Sequence, residues 1–273
     1  MKRIKHIAGI AALAGAALLA PSMTHAQSAP DCANSAACIV QVGNNNRATI
    51  DQVGAVDSSA LVRIDGNRNG AGTIEGRDSG MLTSSTNSRL RVRGFSSDRL
   101  ESGLVSQRGR NNDAVVTVAG NNNGFHIAQD GNSNQAVQAI GGNRNAAAAI
   151  QSGNRNELSQ VQLGTDNFAY ARQTGNNNTA VQTQLGSAES ALLGYNAGAI
   201  AARNGTGTNN SILLEQNGGG NTAALAQVGS DHMIALRQGG DVTASITQLG
   251  ANRSIAIDQT RGAPPVVVVQ AGR

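Results

Sequence analysis

Beyond residue 26 the sequence offers little that could drive a reaction. It has no lysine, only two histidines (His126 and His232), and 17 acidic residues that are scattered rather than clustered. Without lysine there is neither a phosphate-loop cation nor an amine for a Schiff base. Each histidine stands alone within its stretch of sequence, where an ordinary side chain on a structural face is the simplest assignment. Cys32 and Cys38 are separated by five residues and have no nearby histidine, so they do not supply the four ligands of a metal site. No catalytic, cofactor-binding or metal-ligating residue is assigned, and no cofactor is expected. What the chain does carry in quantity is side-chain amide. An amide both donates and accepts, so identical amides held at one spacing can hydrogen-bond in a continuous row. Such rows build structure, and they require a backbone that brings copies into register.

The first 26 residues are set apart from that backbone. Lys2, Arg3 and Lys5 form a positive head, Ile7 to Ala20 is an uncharged apolar stretch, and Thr24-His25-Ala26 ends in small residues. This is the pattern of a secretory signal peptide cut after Ala26. Without it the charge nearly balances, 18 arginines facing 17 acids. Scattered arginines and almost no aromatics argue against a nucleic-acid surface. Export to an oxidising compartment favours a local Cys32–Cys38 disulfide over free thiols. Tryptophan is absent and only three Phe and two Tyr are present, so burial of large side chains cannot be the main source of stability.

Self-similarity supplies the alternative. Glycine recurs at every eleventh residue from Gly109 through Gly120, Gly131, Gly142, Gly153, Gly164 and Gly175 to Gly186. Gly43, Gly54 and Gly76 fall on the same register, with Asp65, Asn87 and Asp98 in the intervening slots. Gly, Asn and Asp are the residues that tolerate a left-handed backbone, so these slots are expected to turn corners. Glutamine stands two residues before the glycine, asparagine three after, alanine usually five after, and a loosely apolar residue seven after. Asparagine, alanine, the apolar residue and the next glutamine thus lie at +3, +5, +7 and +9 from the glycine, all odd, which places the side chains on one face of an extended strand. A right-handed coiled coil also has an eleven-residue period, but it would not tolerate a glycine and an asparagine in each repeat.

The expected fold is all-β: a β-solenoid of about twenty short strands, two eleven-residue repeats per coil, stacked at ~4.8 Å. Gln41, Gln52, Gln107, Gln129, Gln151, Gln162, Gln173, Gln184, Gln216 and Gln227 should form rungs inside it. Asn46, Asn112, Asn123, Asn134, Asn145, Asn156, Asn167 and Asn178 should form others. Gly43, Gly54 and the run Gly109 to Gly186 should form the corners. The predicted organisation is a leader (1–26), a segment with the Cys pair (27–40), a solenoid (41–260) and a tail strand (261–273). The repeats are eroded around 55–106 and 187–205, which reads as coils with bulged corners, about ten coils in all.

The unit Q-x-G-x-x-N-x-A-x-x-x-Q resembles the curlin repeat of curli amyloid subunits. Good copies are Gln41-Val-Gly43-Asn-Asn-Asn46-Arg-Ala48-Thr-Ile50-Asp-Gln52 and Gln173-Thr-Gly175-Asn-Asn-Asn178-Thr-Ala180-Val-Gln-Thr-Gln184. The resemblance implies export from a Gram-negative cell through an outer-membrane channel, and assembly with itself and other curlin subunits into extracellular fibres for adhesion and biofilm formation. The family has a major fibre subunit and a minor nucleator. The eroded repeats and extra arginines lean toward the minor type. The chain departs from the family pattern in its length, in lacking a long Gly-rich segment after the leader, and in its Cys pair. The rival reading is a secreted solenoid that does not polymerise, such as an adhesin or a glycan- or ice-binding repeat protein. The aliphatic strand Val266 to Val269 carries no gatekeeping charge, which favours the polymer.

Overall fold

In the computed structural model the described residues are 36–75, 82–83, 89–90, 99–185 and 210–271. In chain order the strands are β1 Ala37–Val42, β2 Thr49–Asp51, β3 Ala55–Val56, β4 Ser59–Asp65, β5 Thr73–Glu75, β6 Leu82–Thr83, β7 Arg89–Leu90 and β8 Arg99–Glu101. There follow β9 Leu104–Arg110, β10 Asp113–Asn121, β11 Gly124–Asn132, β12 Gln135–Asn143, β13 Ala146–Asn154, β14 Glu157–Thr165, β15 Phe168–Asn176 and β16 Thr179–Leu185. The last are β17 Ser211–Asn217, β18 Thr222–Ser230, β19 Met233–Gly239, β20 Thr243–Ala251, β21 Ser254–Thr260 and β22 Val266–Ala271.

The protein is a parallel β-solenoid with two repeats per coil. One sheet runs β1-β4-β10-β12-β14-β16-β18-β20-β22, and the other β2-β9-β11-β13-β15-β17-β19-β21, with β3 beside β9. Each repeat supplies one strand, and the chain then crosses to the facing sheet at a corner. Along β10 the inward residues Ala114, Val116 and Val118 are buried while their neighbours are partly exposed. The interior is narrow and aliphatic, holding Val62, Val105, Val116, Ile127, Ala136, Ala147, Leu158 and Leu214 in one cluster. In-register pairing repeats every 22 residues where the sequence is clean: Ala114 lies beside Ala136, which lies beside Leu158, then Ala180.

The two ladders hold nine and eight strands, about eight turns rather than ten. The reason lies in the pairing, which passes over part of each eroded stretch instead of gaining coils from it. Ala60 on β4 pairs directly with Ala114 on β10, and Ala169 on β15 pairs directly with Ile212 on β17. The first interruption carries β5–β8, which form two small antiparallel pairs. Its Ile74 packs on the outer face of the second sheet with Ala148, Phe168, Tyr170, Leu213 and Met233. The second interruption, with Gly186, lies outside the described residues, as do Gly76, Asn87 and Asp98.

Candidate functional site: the amide ladders and glycine corners

The corners decide everything that follows. Each carries two residues with positive φ. At Gly109, Gly131, Gly153 and Gly175 φ lies between 98° and 124°, and two residues later Asn111, Ser133, Arg155 and Asn177 have φ of 54–59°. The two positions differ in their demands. A Cβ on Gly153 would stand 2.0 Å from the carbonyl oxygen of Gly175 in the next coil, so backbone packs on backbone there and only glycine fits. The second position faces outward, and exposed Arg144 and Arg155 occupy it despite the left-handed strain. In the lower coils Gly66, not Asp65, is the corner residue stacked on Gly43, and Asp65 ends β4. The glycine register slips by one residue there because the preceding corner is one residue longer, its positive-φ residues Gly54 and Asp57 standing three apart and not two. Gly54 turns with φ 77° and has no close neighbour, so it lacks the stacking contact.

Corner asparagines bind coil to coil. Asn134 donates its backbone N–H to Asn112 Oδ1 (3.0 Å) and its Nδ2 to the Gly153 carbonyl (2.9 Å). Asn156 and Asn178 repeat the pattern, each donating its backbone N–H to the asparagine below at 3.1 Å. On the other edge Asn46, Asn69, Asn123, Asn145, Asn167 and Asn210 form the matching column. The spacing of glycine to asparagine thus has a direct cause: the asparagine amide caps the corner carbonyl of the adjacent coil.

Glutamines form the rungs. In the second sheet Nε2 donates to the next Oε1 from Gln52 through Gln107, Gln129, Gln151, Gln173, Gln216 and Gln238 to Gln259, at 2.6–3.0 Å. The second amide hydrogen crosses the interior to the facing sheet, as from Gln151 to the Gln135 carbonyl at 2.9 Å. Each internal rung therefore uses both donors and its acceptor. The first sheet has a shorter row, Gln162 through Gln184, Gln227 and Gln248 to Gln270. It begins at Gln162 because Ile140 fills the slot beneath, which leaves Gln162 Oε1 buried and unpartnered. Gln41 lies beside Ile64 and joins no rung among the described residues.

One ladder is not marked by the repeat at all. Gln138, Gln160 and Gln182 occupy the loosely apolar slot and are fully buried. They join at 2.8 and 2.7 Å, and each also donates to a carbonyl of the facing sheet, from His126, Ala148 and Tyr170. Alanines at 149 and 171 in the facing sheet are small enough to leave those carbonyls within reach. A sequence signal existed: glutamine recurs there every 22 residues, paired with alanine eleven away.

The histidines sit at the margins of these columns. His232 takes an asparagine slot: its backbone N–H donates to Asn210 Oδ1 (3.1 Å) and its Nε2 contacts the Val228 carbonyl (3.1 Å). Its Nδ1 is buried and unpartnered. Asparagine at this place can supply both the missing acceptor and a shorter side chain, so His232→Asn is expected to stabilise the fold by about 1 kcal/mol, read as a higher urea midpoint. His126 lies beneath the first interruption, its Nδ1 2.8 Å from the Glu101 carbonyl. Burial lowers the pKa of both imidazoles below 6.5. A base whose folded pKa is depressed binds more protons when unfolded, so its contribution is complete above 6.5 and is lost as pH falls below it. Urea midpoints measured from about pH 7.5 to 5.5 should be flat at first and then decline. The decline should shrink in His232→Asn.

Cys38 on β1 is disulfide-bonded, and Cys32 lies outside the described residues. Among the described residues no three His, Cys, Asp or Glu side chains converge as a metal site. The repeat and the solenoid together point to a structural protein. A family model for the curlin associated repeat matches residues 102–131 and 207–240, the strands from β9 into β11 and from β17 through β19. No curated protein and no solved structure matches the chain.

Proposed function

From a chain that carries curlin associated repeats in a parallel β-solenoid, we propose a structural subunit of a secreted curli-type fibre that serves cell adhesion and biofilm formation. The single observation that carries this reading is the set of amide rows. They run from coil to coil through the stack, and Gln52 is the first rung of the longest row, with no described glutamine beneath it. A second copy placed end to end would extend the same rows, in the way cross-β stacks grow. Export through an outer-membrane channel follows from the family resemblance. The eroded repeats and the extra arginines favour the seeding type of subunit over the bulk type.

Purified chain lacking residues 1–26 is expected to form thioflavin-positive fibres after a lag that preformed fibres remove. A chain that stays monomeric at high concentration and ignores such seeds would defeat the reading. Substoichiometric amounts should also abolish the lag of a sibling curlin if this subunit is the nucleator. An unchanged lag would assign it to the major type.

A further inference from the structure

The end of the stack at β22 is built differently from the coils below it. β22 pairs in parallel with β20, from Ala244↔Val266 to Leu249↔Ala271, and Gln248 donates to Gln270 Oε1 at 2.8 Å. The path into it does not use the glycine–asparagine corner of β9–β10 or β13–β14. It passes Gly262 and two prolines, and the Pro264 carbonyl accepts Gln259 Nε2–H at 3.2 Å. That hydrogen is the one each lower rung gives to the next glutamine. The linker therefore terminates the longest row, although nothing about Gln259 itself prevents another rung.

β22 also duplicates β1. Val268-Val269-Gln270-Ala271 matches Ile39-Val40-Gln41-Val42, with Val268 and Ile39 in the same inward slot and Gln270 and Gln41 in the glutamine slot. Consider a second copy added at this end. One sequence offset of 207 residues serves both sheets, Gln41 over Gln248 and Gln52 over Gln259. It also stacks Gly43 on Gly250 and Ile50 on Ile257. The seat this needs on β20 is already taken by β22. If the copy instead added above β22, the first sheet would continue while the second lacked one strand between β21 and the incoming β2, because the described ladders hold nine strands and eight.

We infer that β22 and its lead-in from Arg261 are an internal occupant of the growing end: they hold the seat of a second copy's β1 and must vacate it before that copy adds. This rests on the fibre reading above and specifies its interface, in which Gln248 and Gln259 of one copy donate to Gln41 and Gln52 of the next. Outward Val267 and Val269 are 75% and 62% exposed, so few outer contacts oppose release.

The test compares full chains bearing Val268→Asp, which places a charge on the inward face of β22, and Val267→Asp, which points to solvent. Val268→Asp should shorten the unseeded lag several-fold, and Val267→Asp should match the unsubstituted chain. A synthetic peptide of residues 261–271 should slow the elongation of Val268→Asp fibres, and a scrambled peptide should not. A Val268→Asp lag equal to or longer than that of the unsubstituted chain, with no effect of the peptide, would overturn the inference and leave the fibre reading intact. Absence of fibres from every variant would overturn both.

Discussion

Gly153→Ala is expected to be among the most damaging single-methyl changes in this protein, costing roughly 3–5 kcal/mol. Two effects combine. The residue sits at φ 120°, a region that a side chain strains to adopt, and its new Cβ would lie 2.0 Å from the Gly175 oxygen and 2.8 Å from its carbon. Neither contact can relax cheaply, since both atoms belong to a backbone fixed by its own ladder bonds. The Gly153 carbonyl is also the acceptor of Asn134 Nδ2, so the corner staple would be disturbed with it. Gly54→Ala is the informative control. It has φ 77° but open space around it, and only the conformational term, about 1–2 kcal/mol, should appear. Urea unfolding of the two variants should separate them clearly. Equal losses would mean that turn geometry alone, and not coil-to-coil contact, selects glycine.

The second large effect is expected from Gln151→Leu. The side chain is central in the longest row and fully engaged: it accepts from Gln129 (2.9 Å) and donates to Gln173 (2.8 Å) and to the Gln135 carbonyl (2.9 Å). Leucine matches its volume but leaves one Nε2 hydrogen of Gln129, whose other hydrogen goes to the Asp113 carbonyl, and Gln173 Oε1 buried without partners. Orphaned groups of this kind cost about 1–3 kcal/mol each, giving roughly 3–5 kcal/mol in total. Gln138→Leu should cost far less, under about 1 kcal/mol. Gln138 opens its row with Oε1 already unpartnered and Val116 beneath it, so the change moves one orphan to Gln160 without adding another. If the two substitutions destabilised equally, the rows would not act as connected units.

These contrasts also show what the sequence conveyed and what it withheld. The run Gly109 to Gly175 is legible because stacked backbones admit no substitute, which keeps the period free of error. Asn112, Asn134 and Asn156 are legible for the same kind of reason, since each must reach a glycine carbonyl one coil away. Within 55–106 it was not legible which part joins the stack: β3, β4 and β9 do, and the pairings of Ala60 with Ala114 and Thr49 with Leu104 show that the ladders pass over the residues between β4 and β9. Asp65 was legible as a turn residue by type, yet the turn falls on Gly66, because chemistry that tolerates positive φ does not by itself place a corner. The row Gln138–Gln160–Gln182 was hidden by its slot: a glutamine there reads as a failed apolar residue until the facing alanines and their carbonyls are seen together. The contact of His126 with the Glu101 carbonyl of β8 was equally out of reach, because no repeat position predicts it.

The central claim is that the stacking within one chain continues between chains. Oriented X-ray diffraction from aligned fibres of the protein tests it most directly. A sharp meridional reflection near ~4.8 Å, with a diffuse equatorial one near ~10 Å, is expected if coils of successive copies share one hydrogen-bonded axis. Fibres or aggregates that lack the meridional reflection would contradict the account, for they would show solenoids associating side by side and not end to end.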